Sequence, residues 1–270
     1  MFVSFGPGDD VLHTGLFMQE EVEYNLIHLI VENGEALRLR TEENDLIFAH
    51  AAGRNSWLWL SPELAEERRR SLVRELAEML EDRELPGVNG TPETGKLFAD
   101  AYSKLTGKSH HVRMMMEAYH CPEVQLPHGV SGKLQQAGPG DIPLIAGYLA
   151  GFVQDCFGTE SAPEDHLDYA AAVTESGKLR LWIDREQPVS MVNLAHQSAR
   201  QARINEVFTP REFRKHGYAS AAVAALCAEL LSTQGVTPML YADAANPDSN
   251  KVYQSVGFKR TGSIVDLRFQ

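Results

Sequence analysis

Cysteine is scarce in this sequence. The 270 residues hold three, Cys121, Cys156 and Cys227, with no Cys-x-x-Cys pair and no zinc spacing. So sparse and odd a count argues against a disulfide scaffold and fits a reducing compartment. Long apolar runs are missing too. The most nearly apolar stretch, residues 219–231, contains Ser220 and Glu229 and is too short to span a bilayer. The acidic N-terminus, Met1 to Asp10, lacks the basic-then-apolar pattern of a signal peptide. The expectation is a cytoplasmic protein without membrane association. Positive charge is also short: 25 Lys and Arg stand against 37 Asp and Glu, a net charge of −12. Such a chain is a poor binder of nucleic acid, which needs cations to replace phosphate counterions, and it would attract cationic small molecules or peptides. Gly6-x-Gly8 and Gly138-x-Gly140 lack the third glycine of a dinucleotide fingerprint, and no Gly-x-x-x-x-Gly-Lys-Ser/Thr loop occurs. His110-His111 and His120-Cys121 are adjacent pairs without ligand spacing, so no metal is expected.

What is present is enough apolar residue, 43%, to build real cores in a chain long enough for two domains. In the C-terminal half, Leu179, Leu181 and Ile183 alternate as in a strand, residues 189–196 read as its returning partner, and residues 203–208 as a third strand. Val223, Leu226, Cys227, Leu230 and Leu231 form the stripe of an amphipathic helix from about Gly217, which Gly235 ends. With helices near 141–156 and 163–173, a strand at 239–244, a short helix at 249–256 and one or two strands over 258–269, the order is β-α-α-β-β-β-α-β-α-β. The N-terminal half reads almost the same way: strands near 2–5, 36–40, 46–51, 56–60 and 112–119, and helices over 20–32, 63–80 and 97–105. Gly6-Pro7-Gly8-Asp9 mirrors Gly138-Pro139-Gly140-Asp141, and Ser61-Pro62 mirrors Thr209-Pro210. The fold class expected is α/β, with a mixed sheet in each of two tandem copies, residues 1–125 and 126–270, joined near Pro122–Gly132.

Two segments of the second copy carry chemistry. In the first, a strand ending at Val207-Phe208-Thr209 turns through Arg214-Lys215-His216-Gly217-Tyr218-Ala219-Ser220 into a helix. Free amides at a helix start, with three basic side chains in an otherwise acidic chain, make an anion site. The alternative is an ordinary strand-to-helix turn with a solvated basic patch. In the second segment, Asn246, Ser249, Asn250 and Tyr253 can line one face of a short helix, and Gly257-Phe258 follows. The plain alternative makes Asn246 a helix-start residue and Tyr253 a half-buried aromatic.

Together the two segments resemble the GNAT superfamily of N-acetyltransferases. Arg214-x-x-Gly217-x-Ala219 matches its acetyl-CoA loop, and Asn246, Ser249, Tyr253, Gly257 and Phe258 match its later Asn-x-x-Ser-x-x-x-Tyr-x-x-x-Gly-Phe motif. The match covers about residues 132–270. The resemblance implies acetyl-CoA as acyl donor, no metal, and an amine of a small molecule or peptide as acceptor. It places the pantetheine arm against the backbone near Val207 and Thr209 and the pyrophosphate on the amides from Arg214 to Ser220. Asn246 and Asn250 would lie beside the arm, and Tyr253 would protonate the departing thiolate. Some members carry a basic glutamate where this sequence has Arg203. Glu206 is the nearest substitute, although simple strand alternation would aim it away; His196 and Asp243 are further candidates, and deprotonation through water is equally open. The N-terminal copy has no glycine at the matching turn and carries Glu63, Glu66 and Glu67 there. Carboxylates at that helix start would repel a pyrophosphate, so this half reads as a degenerate copy without donor binding. Two functions follow: an amine acetyltransferase, or an acyl-CoA-binding regulator or scaffold that has lost turnover.

Overall fold

The computed structural model describes residues 1–270. The same order of elements occurs twice. The first run is β1 (Phe2–Ser4), α1 (Gly15–Gln19), α2 (Leu26–Glu32), β2 (Leu37–Thr41), β3 (Leu46–His50), β4 (Ser56–Leu60), α3 (Glu66–Met79), β5 (Gly87–Gly90), α4 (Pro92–Thr106) and β6 (His110–His120). The second is β7 (Lys133–Gln136), α5 (Ile142–Phe157), α6 (Leu167–Glu175), β8 (Leu179–Asp184), β9 (Gln187–Gln197), β10 (Gln201–Phe208), α7 (Tyr218–Glu229), β11 (Thr237–Asp243), α8 (Pro247–Val256) and β12 (Lys259–Phe269). Both are mixed α/β, as the sequence indicated. No helix is long and apolar enough to cross a membrane.

The chain does not divide at one point. Residues 1–119, 241–246 and 260–270 form the first compact unit, and residues 120–240 and 247–259 form the second. The single cut expected at 125/126 therefore fails for the end of the chain. Strand β12 pairs antiparallel with β5, Val265 opposite Gly90 and Leu267 opposite Val88. The cause is apolar burial: Val265 and Leu267 complete the core of Leu46, Phe48, Leu58, Leu72, Leu76, Phe98 and Tyr102. Gly87 is forced by the same pairing, since a Cβ there would overlap the Leu267 carbonyl oxygen.

In the first unit the strand order is β1-β2-β3-β4-β5-β12-β6. Helices cover both faces, so alternate residues of β3 serve opposite cores: Leu46 and Phe48 meet α3 and α4, while Ile47 and Ala49 join Phe17, Tyr24, Ile27 and Trp59. This gives the continuous apolar runs of a doubly covered sheet. The helix expected over 20–32 is broken between α1 and α2, where Glu21, Glu23 and Asn25 are buried. Their placement needs a turn: Glu21 pairs with His28 at 3.0 Å, and Glu20 accepts from the Trp59 indole at 2.7 Å.

In the second unit the order is β11-β10-β9-β8-β7. Helices α5 and α6 pack on one face through Ile145, Leu149, Ala170, Leu179, Leu181 and Met191. Helix α7 is buried along Ala222, Val223, Leu226 and Cys227 and ends in one wider π turn before Gly235, whose φ is +64°. Each fully buried Leu or Val contributes about 1.5–3 kcal/mol relative to exposure.

Candidate functional site

Strands β10 and β11 are parallel, but their ladder covers only Gln201–Arg203 against Thr237–Met239. From Ile204 to Phe208 the β10 edge on that side has no strand partner, and such an edge can hydrogen-bond an extended ligand. On the other side β10 pairs with β9, where Asn205 opposes Asn193 and Phe208 opposes Met191. Three steps along β10 against two along β9 mean one extra residue, a β-bulge. Glu206 has φ +51° within it, a backbone conformation unusual for a non-glycine residue.

The bulge cancels the strand alternation that would turn Glu206 away. Asn193 Nδ2 donates to both Asn205 Oδ1 (3.0 Å) and Glu206 Oε2 (3.1 Å), so two consecutive side chains reach one partner. The Glu206 carboxylate can only accept, so the NH2 end of the Asn193 amide faces it. From α6, Tyr169 donates its hydroxyl to Glu206 Oε1 at 2.7 Å. Burial raises the Glu206 carboxyl above its ordinary value, while the bonds from Tyr169 and Asn193 and the charge of Arg203 pull it back. The result is a held carboxylate with enhanced basicity. The other candidates are placed differently. His196 sits opposite Arg203, toward the start of β10. Asp243 shapes a turn, accepting from Ala245 N at 2.9 Å through Oδ1 and from Asn246 N at 3.0 Å through its carbonyl.

After β10 the chain makes a short turn over Arg211–Phe213, then Lys215 at φ +66° and Gly217 at φ +82° launch α7. The first intrahelical amide bond is Ala221 N to Gly217 O, 2.9 Å. The amides of Tyr218, Ala219 and Ser220 precede it and have no intrahelical acceptor, so they are donors for an anion at the positive helix end. Arg214, expected as a free cation here, is engaged instead. Its Nε donates to the Thr209 carbonyl at 2.9 Å, Nη2 pairs with Asp155, and the guanidinium lies 5.9 Å from the Phe208 ring centroid. Lys215 and His216 are exposed beside the turn. Phe208 packs over Gly151 and against Tyr148, and Ser190 Oγ donates to the Phe208 carbonyl and meets Thr209 Oγ1 at 2.9 Å. Val207, the remaining residue of this segment, is half-buried.

On α8, Asn250 and Tyr253 are half-buried and share the second unit, whereas Asn246 belongs to the first unit's segment 241–246. The Tyr253 ring stands edge-on to Phe258, centroids 5.9 Å apart. Burial, with a smaller contribution from the Cys156 thiol, pushes the phenol well above its ordinary value, so it is a neutral proton donor at physiological pH.

Residues 183–265, which contain the bulge, the turn and α8, match the FR47-like protein family. Solved structures align over the whole chain at low identity. A GNAT-family acetyltransferase from Colwellia psychrerythraea is 14% identical, with 100% of each chain covered and a TM-score of 0.58. A GCN5-related N-acetyltransferase from Sphaerobacter thermophilus is 16% identical over 100% of this chain and 95% of its own, also at 0.58. A Drosophila protein reaches 0.65 at 10% identity, covering 100% and 98%. The chain has the GNAT fold. No curated protein matches the sequence.

Within this GNAT fold, the residues present suit an acyl-CoA: an unpaired strand edge, a helix-start anion turn and a neutral phenol. No group of three His, Cys, Asp or Glu side chains is arranged to hold a metal ion. A separate open cleft of about 470 Å³, lined by Gly132, Lys133, Asp141, Arg185, Glu186 and Pro188 among others, shares no residue with this site and carries balanced charge. Sequence reasoning did not single out Tyr169 or Asn193. Asn193 left a trace, a polar side chain inside the apolar run from Met191 to Leu194.

Proposed function

We propose that the second unit is an N-acetyltransferase that moves an acetyl group from acetyl-CoA to a primary amine by direct attack within a ternary complex. The observation that carries this reading is the bulged Glu206, held by Tyr169 and Asn193 beside an unpaired stretch of β10. The amides of Tyr218, Ala219 and Ser220 receive the donor's pyrophosphate, with Lys215 and His216 adding positive potential. The β10 edge at Val207 to Thr209 takes the pantetheine arm, and Asn250 lies along it. Glu206 accepts the proton of the attacking amine, which forms the new C–N bond as the C–S bond breaks. Tyr253 gives a proton to the departing thiolate. The thioester is already activated, so the protein's task is positioning and charge stabilisation. A carboxylate as the base, in a chain of net charge −12, favours a cationic amine as acceptor.

The test is release of free CoA thiol from acetyl-CoA across a panel of primary amines, in wild type and Glu206→Gln. Amine-dependent release that the substitution abolishes supports the enzyme. CoA binding without release under any amine would leave the acyl-CoA-binding regulator as the correct reading.

A further inference from the structure

The segment between β6 and β7, residues 121–132, lies wholly in the second unit and is fastened at three places. At its start, Cys121 N donates to the Pro238 carbonyl at 2.8 Å and Gln125 N to the Val256 carbonyl at 2.7 Å, at the end of α8. A Cβ on Gly257 would overlap the Glu123 carbonyl oxygen. In its second half, a Cβ on Gly217 would stand 2.9 Å from Val130 Cγ2. At its end, Ser131 Oγ donates to Asp184 Oδ1 at 2.7 Å, and the Ser131 carbonyl accepts from Trp182 Nε1 at 2.9 Å. Asp184 Oδ2 accepts from the hydroxyl of Tyr218, the first residue of α7, at 2.8 Å. Both motif glycines face this segment: at Gly257 its backbone leaves no room for a side chain, and at Gly217 the Val130 methyl would have to shift.

One carboxylate therefore ties two pieces of backbone, the end of this segment and the start of α7, through hydrogen bonds to both. Asp184 is 9% exposed, and its two donors each take a different carboxylate oxygen. A carboxylate that accepts two hydroxyl bonds stays ionised and makes the stronger, charge-assisted kind of hydrogen bond. Those two bonds are also the largest causes holding its carboxyl below the ordinary value. If the tie is cut, Tyr218 loses its hydrogen bond to Asp184, and the three-amide turn keeps its Arg214 contacts but passes through Lys215 and Gly217, both in left-handed backbone conformations, without that anchor.

We propose that residues 123–132 are a strap that holds the α7 turn in its donor-binding shape, with Asp184 as the positioning residue that ties the strap to Tyr218. This rests on the reading that the turn receives the donor's pyrophosphate. The strap does not touch the reacting atoms, so its loss is felt in donor affinity rather than in chemistry.

The experiment compares wild type, Ser131→Ala, Ser131→Thr and Asp184→Asn. Two quantities are measured: the Kd for CoA by calorimetry, with KM and kcat for acetyl-CoA, and hydrogen exchange at residues 126–131 and 217–221 without donor. Loss of a hydrogen bond to a charged group should weaken donor binding about tenfold in Ser131→Ala and Asp184→Asn. KM should rise in step, kcat at saturation should stay within about twofold, and Ser131→Thr, which keeps the hydroxyl, should behave as wild type. Exchange should speed up at residues 217–221 in Ser131→Ala, although no atom of that turn is altered. Equal affinities and equal exchange in all four proteins would overturn the strap. Failure of the wild type to bind CoA would overturn the donor reading instead, and the exchange comparison would still decide whether the strap holds the turn.

Discussion

Tyr169 reaches from α6 to donate its hydroxyl to Glu206 at 2.7 Å, on a carboxylate that only a bulged strand could aim at it. The phenol is half in solvent and the carboxylate half-buried, so this pair connects the interior of the site to water. If Glu206 is the base, the connection gives the accepted proton a way out.

Replacing Glu206 by Gln should lower kcat/KM by about 10²–10⁴-fold, the usual value of a positioned general base, with CoA affinity unchanged. The glutamine keeps the size of the side chain, so the bulge persists. Steady-state kinetics with calorimetry for CoA checks both halves of the expectation.

The pH dependence follows from the same residue. Its carboxyl is raised by burial, and only the ionised form accepts a proton. Activity should therefore be present above the raised value and fall as pH drops through it, with the ascending limb of kcat/KM above the ordinary carboxylate range. Tyr169→Phe removes a bond that lowers this value, so the limb should move to higher pH. A limb that stays in place in the variant would show that the phenol does not set it.

Tyr253→Phe should lower the single-turnover rate by about 10²–10⁴-fold and leave CoA affinity nearly intact, because the ring still packs on Phe258 and only the hydroxyl is lost. Single-turnover measurement is the right check, since slow product release would mask the effect in kcat. Equal rates would reduce Tyr253 to a packing residue.

The anion turn can be tested without disturbing its backbone. Ser220 is in the first turn of α7 and half-buried, and a carboxylate there complements the helix dipole. Ser220→Glu should keep the melting temperature and remove the thermal stabilisation given by CoA, since its charge opposes a phosphate. Gly217→Ala, in contrast, should lower Tm even without ligand. It forces a side chain into φ +82° and against Val130, at about 1–2 kcal/mol for the backbone alone.

One CoA should bind per chain. Helix α3, the counterpart of α7 in the first run of elements, starts with Glu66 and Glu67 and has no glycine at its cap. Calorimetry that finds two equivalent sites would show that this half has kept a donor site.

Much of this was legible in the sequence because it depends on local rules. The strand carrying Leu179, Leu181 and Ile183, the helix after Gly217 and its stop at Gly235 are set by residues a few positions apart and lie where expected, although α7 is buried over consecutive residues 221–224 and not along a single stripe. The strand-turn-helix at Thr209–Ser220 was equally readable, since a positive φ at Gly217 and an unmade first helical turn need only neighbouring residues. The repeated order of elements came from the same periodicities read twice.

Tertiary structure decided the rest. Alternation within β10 sends Glu206 away from its site, and only the β9–β10 register inserts the bulge that returns it. Sequence leaves the charge of Arg214 free, whereas in the fold Asp155 on α5 pairs with it. The broken helix between α1 and α2 depends on partners from β4 for Glu20 and from α2 for the buried Glu21, and β12 joins the first unit because Val265 and Leu267 bury against α3 and α4. The physical reason is the same in each case. Periodicity and caps are short-range properties of the chain, whereas register, ion-pair choice and the burial of a strand are settled by surfaces that sequence distance keeps apart until the chain has folded.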